Sequence, residues 1–164
     1  MWKVMVADDE TYMLEAMEKL IDWKKLDCQL IYKAENGQEL LEQIKNSTPD
    51  IVITDIKMPL MSGIQVAQYV YEHMLPVKII ILSAYAEFEY AQEAIEYDVC
   101  GYIVKTSVIE MLPGMIQKAI RKLSVPQEWE KGSGEYQIDD IFGRLQKYID
   151  EHYTDKLTLQ QIAY

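Results

Sequence analysis

The chain is short of several things at once. It has two cysteines, two histidines and five prolines in 164 residues, and its 16 basic residues are outnumbered by 27 acidic ones. Cys28 and Cys100 show no framework spacing, which excludes a disulfide-stapled scaffold and fits free thiols in a reducing cytoplasm. His73 and His152 have no partners at ligand spacing, so a histidine-based metal site is not expected. A formal net charge of −11 excludes a nucleic-acid surface, which needs clustered Lys and Arg. Neither the part up to Leu123 nor the remainder is basic. No apolar run approaches the about 18 residues of a membrane span. Met1-Trp2-Lys3 leads into a short stretch ending in acids, too short and too acidic for a signal peptide, so a cytoplasmic protein is expected. There is no internal repeat and no low-complexity tract.

What is present is apolar material in the right arrangement. Hydrophobic residues make up 49% of the chain, enough for one ordinary domain and a small appendage. Val4-Met5-Val6-Ala7 is a short apolar run stopped by Asp8-Asp9-Glu10. Met13, Leu14, Met17, Leu20 and Ile21 follow at helical spacing. Gln29 to Ala34 reads as a second strand and Asn36-Gly37 as a turn. Leu40, Leu41 and Ile44 mark a second helix. Ile51-Val52-Ile53-Thr54 forms a third strand ending at Asp55, and Ile64, Ala67, Val70, Tyr71 and Met74 a third helix. Lys78 to Ser83 is the most apolar strand. Phe88, Ala91 and Ile95 give a fourth helix, and Tyr102-Ile103-Val104 a fifth strand ending at Lys105. Ile109, Leu112, Ile116 and Ile120 give a fifth helix. Five short apolar strands alternating with five helices predict an α/β fold, a doubly wound parallel sheet covered on both faces. Ligands of such sheets sit beyond the C-terminal strand ends, at the switch point of strand order.

The strand ends carry the chemistry. The first stops at Asp8-Asp9, the third at Asp55, the fourth at Ser83 and the fifth at Lys105. Each has an ordinary explanation alone: a helix cap, a turn former, another cap, a solvated lysine. Four in order, each at a strand end, make those explanations jointly untenable. Three carboxylates sharing a small site repel one another, so a cation or raised pKa values must relieve them. An oxygen-only donor set suits Mg²⁺, which takes one or two carboxylates, waters and a phosphate oxygen. With the Lys105 ammonium and the Ser83 hydroxyl, these are the parts needed to accept and hold a phosphoryl group.

Val4 to Glu10 (VMVADDE), Ile51 to Gly63 (IVITDIKMPLMSG), Ile79 to Ala84 (IIILSA) and Gly101 to Lys105 (GYIVK) resemble the receiver domains of two-component response regulators. The resemblance covers residues 2 to about 123. It implies a flavodoxin-like receiver fold, with Asp55 accepting a phosphoryl group from a histidine kinase. It implies that Asp9, Asp55 and the backbone carbonyl of Lys57 bind Mg²⁺, with Asp8 acting mainly through water. Ser83 and Lys105 would bind phosphoryl oxygens, and Tyr102 matches the aromatic that turns when the Ser83 hydroxyl engages phosphate. Such a domain is a phosphoprotein switch and not an enzyme in the ordinary sense. Phosphorylation would favour a homodimer through the fourth helix, fifth strand and fifth helix.

Leu20 to Leu26 (LIDWKKL), Ala34 to Gly37 (AENG) and Ser83 to Ala91 (SAYAEFEYA) look like receivers joined to AraC-type DNA-binding domains. Tyr148 to Ala163 (YIDEHYTDKLTLQQIA) is similar to the opening of such a domain. The organisation expected is therefore a receiver over 1–123, a linker over 124–137 holding Pro126, Gly132, Ser133 and Gly134, and a truncated start of the DNA-binding domain over 138–164. A short helical extension with Ile141, Leu145, Tyr148 and Ile149 on one face and a Thr158–Gln161 capping box is expected there. The helix-turn-helix that would enter a groove is not in the chain, so DNA binding belongs to the parent regulator.

Two positions depart from the family pattern. Thr106 stands where receivers usually have proline, so the Lys105–Thr106 bond is predicted trans with a rearranged loop. Pro113-Gly114 falls inside the expected fifth helix, which predicts a helix that starts twice or kinks. Two rival functions fit parts of the same pattern. A phosphatase with a nucleophilic Asp, as in haloacid-dehalogenase-like folds, usually has a second acid two residues on, and Lys57 occupies that place. An interaction module without phosphorylation would not need the full set of acceptor-site residues. Detection of phosphoaspartate separates such a module from a receiver.

Overall fold

Ile79-Ile80-Ile81-Leu82 is apolar at every position because its strand is covered on both faces. Ile80 and Leu82 pack to one side of the sheet, and Ile79 and Ile81 to the other. The computed structural model describes residues 1–124. The readings made for the linker and the tail, including the face built from Ile141, the Thr158 capping box and His152, lie outside the described residues.

Five strands, β1 (Trp2–Ala7), β2 (Cys28–Ala34), β3 (Ile51–Asp55), β4 (Lys78–Ser83) and β5 (Gly101–Val104), alternate with five helices. These are α1 (Thr11–Leu20), α2 (Gly37–Ser47), α3 (Gly63–Glu72), α4 (Phe88–Glu96) and α5 (Val108–Ser124). The sheet is parallel throughout, in the order β2-β1-β3-β4-β5. On one face α1 and α5 bring Met13, Leu14, Met17, Val108, Leu112 and Ile116 onto Val4, Val6, Ile51 and Ile53. On the other, α2, α3 and α4 bring Leu40, Ile44, Ile64, Val66, Val70 and Ala94 onto Met5, Val52 and Ile81. This is the five-stranded doubly wound fold expected. β1 sits between β2 and β3, so strand order reverses beside its C-terminal end. That reversal opens the crevice where ligands of such sheets bind, between Asp8-Asp9 and Asp55.

Several local expectations change. Asn36-Gly37 is a helix start, not a free turn: the Asn36 side chain accepts from the Glu39 N–H at 2.8 Å and caps α2. Glycine is needed next for room, since a Cβ on Gly37 would lie 2.0 Å from the Met61 carbonyl oxygen. The inward face of α4 is turned from the one read in the sequence, and α5, whose Leu112 and Ile116 are buried as read, differs at its first position. Phe88 is exposed and Ala94 is the buried residue of α4, while Val108 is buried and Ile109 is exposed on α5. Leu20, Tyr71 and Met74 are also exposed. α5 is one continuous helical span with Pro113 inside it, so it does not start twice. A short 3-10 turn over Lys105–Ser107 leads into it, and no peptide bond among the described residues is cis, Lys105–Thr106 included. Among the described residues, no helix is long and apolar enough to cross a membrane.

Candidate functional site

Each acid reaches the crevice because its strand ends there. β1 hands over to Asp8 and Asp9 before α1 begins, and β3 ends on Asp55 itself. One carboxylate oxygen from each of Asp8, Asp9 and Asp55 lies within 4.8 Å of the others. Asp8 is fully buried and Asp55 nearly so, while Asp9 is exposed. Lys105, immediately after β5, extends its ammonium into the group. Nζ lies 2.9 Å from Asp55 Oδ2, 3.1 Å from Asp8 Oδ1 and 2.8 Å from Glu10 Oε2. Asp55 Oδ1 accepts from the Ile56 N–H at 2.7 Å, and Asp8 Oδ1 from the Glu10 N–H at 2.9 Å.

Asp8 Oδ2 is buried and accepts no well-directed hydrogen bond, although the Lys105 ammonium passes it at 2.9 Å. One ammonium thus faces three carboxylates, so negative charge is left in excess, and one buried oxygen keeps a lone pair for another partner. Burial pushes the Asp8 carboxyl up to about 6, against the pull of Lys105 and the Glu10 N–H and helped by the charge of Asp55. Burial likewise raises Asp55, with Lys105 opposing. Burial works against the charge of Lys105, but its bonds to Glu10, Asp8 and Asp55 outweigh that and hold it above the ordinary lysine value. An all-oxygen donor set with an orphaned buried oxygen fits a hard divalent cation.

The raised Asp8 carboxyl has a measurable consequence. An acid whose folded-state pKa exceeds its unfolded value destabilises the fold once ionised. The cost grows as pH rises from about 4 to about 6 and is complete above that. Asp8→Asn removes it while giving up a charged bond to Lys105. The expected outcome is a metal-free variant about 1 kcal/mol more stable at pH 7 and no more stable at pH 4. Urea unfolding at the two pH values measures this, and equal midpoints at pH 7 would contradict it.

The rest of the predicted set lies around this cluster. Ser83 ends β4, and its hydroxyl donates to the Tyr85 carbonyl at 2.6 Å. The Tyr102 hydroxyl donates to the same carbonyl at 3.2 Å. Ser83 and Tyr102 therefore share one backbone oxygen and also meet side chain to side chain. The Lys57 side chain turns to Glu87, ahead of α4, at 3.0 Å, with its ammonium 5.5 Å from the Tyr90 ring centre. Gly63 lets the loop after β3 fold back, since a Cβ there would meet the Asp55 carbonyl oxygen at 2.0 Å. His73 stands apart, stacked on Tyr69 at 3.8 Å. Three residues escaped the sequence reading: Glu10, Tyr85 with its carbonyl, and Glu87. Glu10 did have a signal, since it continues the Asp8-Asp9 run. The other two had none.

Comparison with known proteins agrees with this geometry. The family described as the response regulator receiver domain matches residues 4–117. Over 123 residues the chain is 40% identical to YesN of Bacillus subtilis, an uncharacterized transcriptional regulatory protein, covering 75% of this chain and 33% of that one. Over 161 residues it is 31% identical to the transcriptional regulatory protein HptR of Staphylococcus aureus, covering 98% of this chain and 63% of that one. The chain thus spans less than two thirds of the length of these curated relatives. The solved REC domain of AraT, a response regulator from Geobacillus stearothermophilus, is similar with a TM-score of 0.69 at 34% identity, over 74% of this chain and 95% of that one. A family match across well over half of the chain, on a fold shared with a solved REC domain, makes this chain a member of the response regulator receiver domain family.

Proposed function

We propose that this chain is the phosphoryl-accepting switch of a transcriptional response regulator, with Asp55 as acceptor. The observation that carries the reading is the setting of Asp55: at the end of β3, nearly buried, 2.9 Å from the Lys105 ammonium and grouped with two further aspartates. One Asp55 oxygen forms the new P–O bond while the P–N bond of a phosphohistidine on a partner kinase breaks, its electron pair returning to the imidazole. Lys105 stays beside the reacting carboxylate and meets the negative charge of the arriving oxygens. Asp9, Asp55 and the Lys57 backbone carbonyl would hold Mg²⁺, with Asp8 contributing through water. When bound, the ion supplies charge neutralisation for the phosphoryl oxygens.

Phosphoaspartate carries roughly two negative charges where one stood. Its oxygens offer the Ser83 hydroxyl a stronger acceptor than the Tyr85 carbonyl, and the Tyr102 hydroxyl shares that carbonyl. The exchange biases β5 and the start of α4, part of the face of α4, β5 and α5 through which two receivers would pair. The domain division is a receiver over 1–123, a linker over 124–137 and the start of an AraC-type DNA-binding domain over 138–164, in a cytoplasmic regulator. What supports the last part is that the likeness to HptR runs over 161 residues, past the receiver. Transcription would be controlled by pairing the attached DNA-binding domains.

Incubation with phosphoramidate should add the mass of one phosphoryl group to the intact chain, and only with Mg²⁺ present. Equal uptake with and without the ion, or none at all, would sink the reading.

A further inference from the structure

An ammonium has three protons, and at Lys105 three carboxylates take them: Asp8, Asp55 and Glu10. Two of these are fixed by the fold, since Asp8 is fully buried and Asp55 nearly so. Glu10 differs, because its side chain is 42% exposed and sits at the mouth of the crevice. The function proposed above gives Glu10 no task. Nor is it used as a helix cap. Glu10 occupies the N-cap position of α1 yet makes no side-chain cap bond, where Ser, Thr, Asp or Asn would ordinarily make one. Its carboxylate turns to Lys105 instead, at 2.8 Å.

A phosphodonor arrives with anionic oxygens and needs a proton from Lys105, all three of which are engaged. Displacing Asp8 or Asp55 leaves a buried carboxylate without its cation, which is expensive. Displacing Glu10 leaves a part-exposed carboxylate that keeps the Tyr12 hydroxyl as a partner and water around it, which costs little. We propose that Glu10 is a positioning residue for phosphoryl transfer. It occupies the third proton of Lys105 in the resting protein and yields it to the incoming phosphoryl group. The inference rests on Asp55 being the acceptor and adds a competition: donor and Glu10 contend for one site on Lys105. Glu10 therefore sets the donor concentration the domain requires and leaves the rate at saturation to Asp55 and Lys105.

Phosphoramidate titrations followed by intact mass, with Mg²⁺ present, test this on four chains: the parent, Glu10→Gln, Glu10→Ser and Glu10→Asp. Glu10→Ser guards against misfolding, because serine supplies the missing cap. The half-saturating donor concentration should fall about threefold to fivefold in the Gln and Ser variants, the size expected for losing one part-exposed competing ion pair. The saturated rate should change less than about twofold, and the gain should shrink in high salt. Glu10→Asp keeps the charge but is shorter and can cap α1, so its half-saturating concentration should lie between those of the parent and the neutral variants. An unchanged half-saturating concentration in the neutral variants, or a lowered saturated rate instead, overturns the inference while leaving Asp55 as acceptor. A parent chain that takes up no phosphoryl group overturns both.

Discussion

Asp55→Asn should take up no phosphoryl group from phosphoramidate and Mg²⁺, while melting within a few degrees of the parent. The amide keeps the shape of the side chain, and its oxygen can still accept from the Ile56 N–H, as Asp55 Oδ1 does at 2.7 Å. What it loses is the nucleophile, because an amide has no anionic oxygen to form the P–O bond. Stability should hardly move because two effects oppose. The amide nitrogen faces the Lys105 ammonium as donor against donor, which is a loss. The carboxylate it replaces is one that burial makes harder to ionise, so its neutralisation is a gain. Intact mass and a thermal melt on the same sample separate lost chemistry from lost folding. Labelling of the Asn variant at the parent's level would show that the acceptor is another residue.

How much of this could be read beforehand depends on what each feature needed. The strands and the sheet were legible because burial on both faces leaves short, β-branched apolar runs bounded by turn residues, as in Ile79 to Leu82. The phase of α4 was not. That helix is apolar around much of its circumference, with Phe88, Tyr90, Ala91, Ala94 and Ile95, so more than one inward face satisfies the spacing. Only docking against the sheet selects Ala94 and leaves Phe88 in solvent. α5 shows the same limit at one position: Val108 and Ile109 are both β-branched and apolar, and the 3-10 turn before the helix decides which points inward. Pro113 was weighed as a helix breaker, but the five buried or half-buried apolar residues from Val108 to Ala119 hold the span together around it.

The site divides along the same line. Asp8, Asp9, Asp55 and Lys105 were legible because a parallel sheet gathers its strand ends on one edge, so position along a strand gives position in space. Glu10 was half legible. It lies in the acidic run, but its bond to a lysine 95 residues away depends on a rotamer that spacing does not set. The Tyr85 carbonyl that joins Ser83 to Tyr102 had no sequence signal, since every residue has a backbone oxygen. The Lys57–Glu87 pair, across 30 residues, needed the loop after β3 to lie beside the start of α4.

Lys105→Met should be the most destabilising single change in the site. Methionine keeps the length and apolar stem of lysine and removes only the charge. Three bonds go with it, at 2.8, 2.9 and 3.1 Å. Asp8 and Asp55 are left buried with their charges uncompensated, and Asp9 and Glu10 stand close by. Removing one partner of a buried ion pair costs about 3–5 kcal/mol, because the other charge remains out of water. Part of that is escaped by protonation, since Asp8 already stands at about 6 with the lysine present and must rise further without it. The sign of the pH dependence follows. An acid with a raised folded-state pKa binds more protons folded than unfolded, so stability falls as pH rises between the two values. The deficit of Lys105→Met against the parent should therefore be small at pH 4 and full above the raised pKa of Asp8. Glu10 adds to the deficit in the same direction, because its bond to Lys105 lowers its pKa and the stabilisation lost with the lysine is one present only above the acid range, but it is part-exposed and the contribution is slight. Urea unfolding of parent and variant across that range measures the difference. A variant as stable as the parent at pH 7 would mean that water or a bound ion already carries the compensation assigned to Lys105. A deficit that did not shrink in acid would mean that lost packing, and not stranded charge, is the cause.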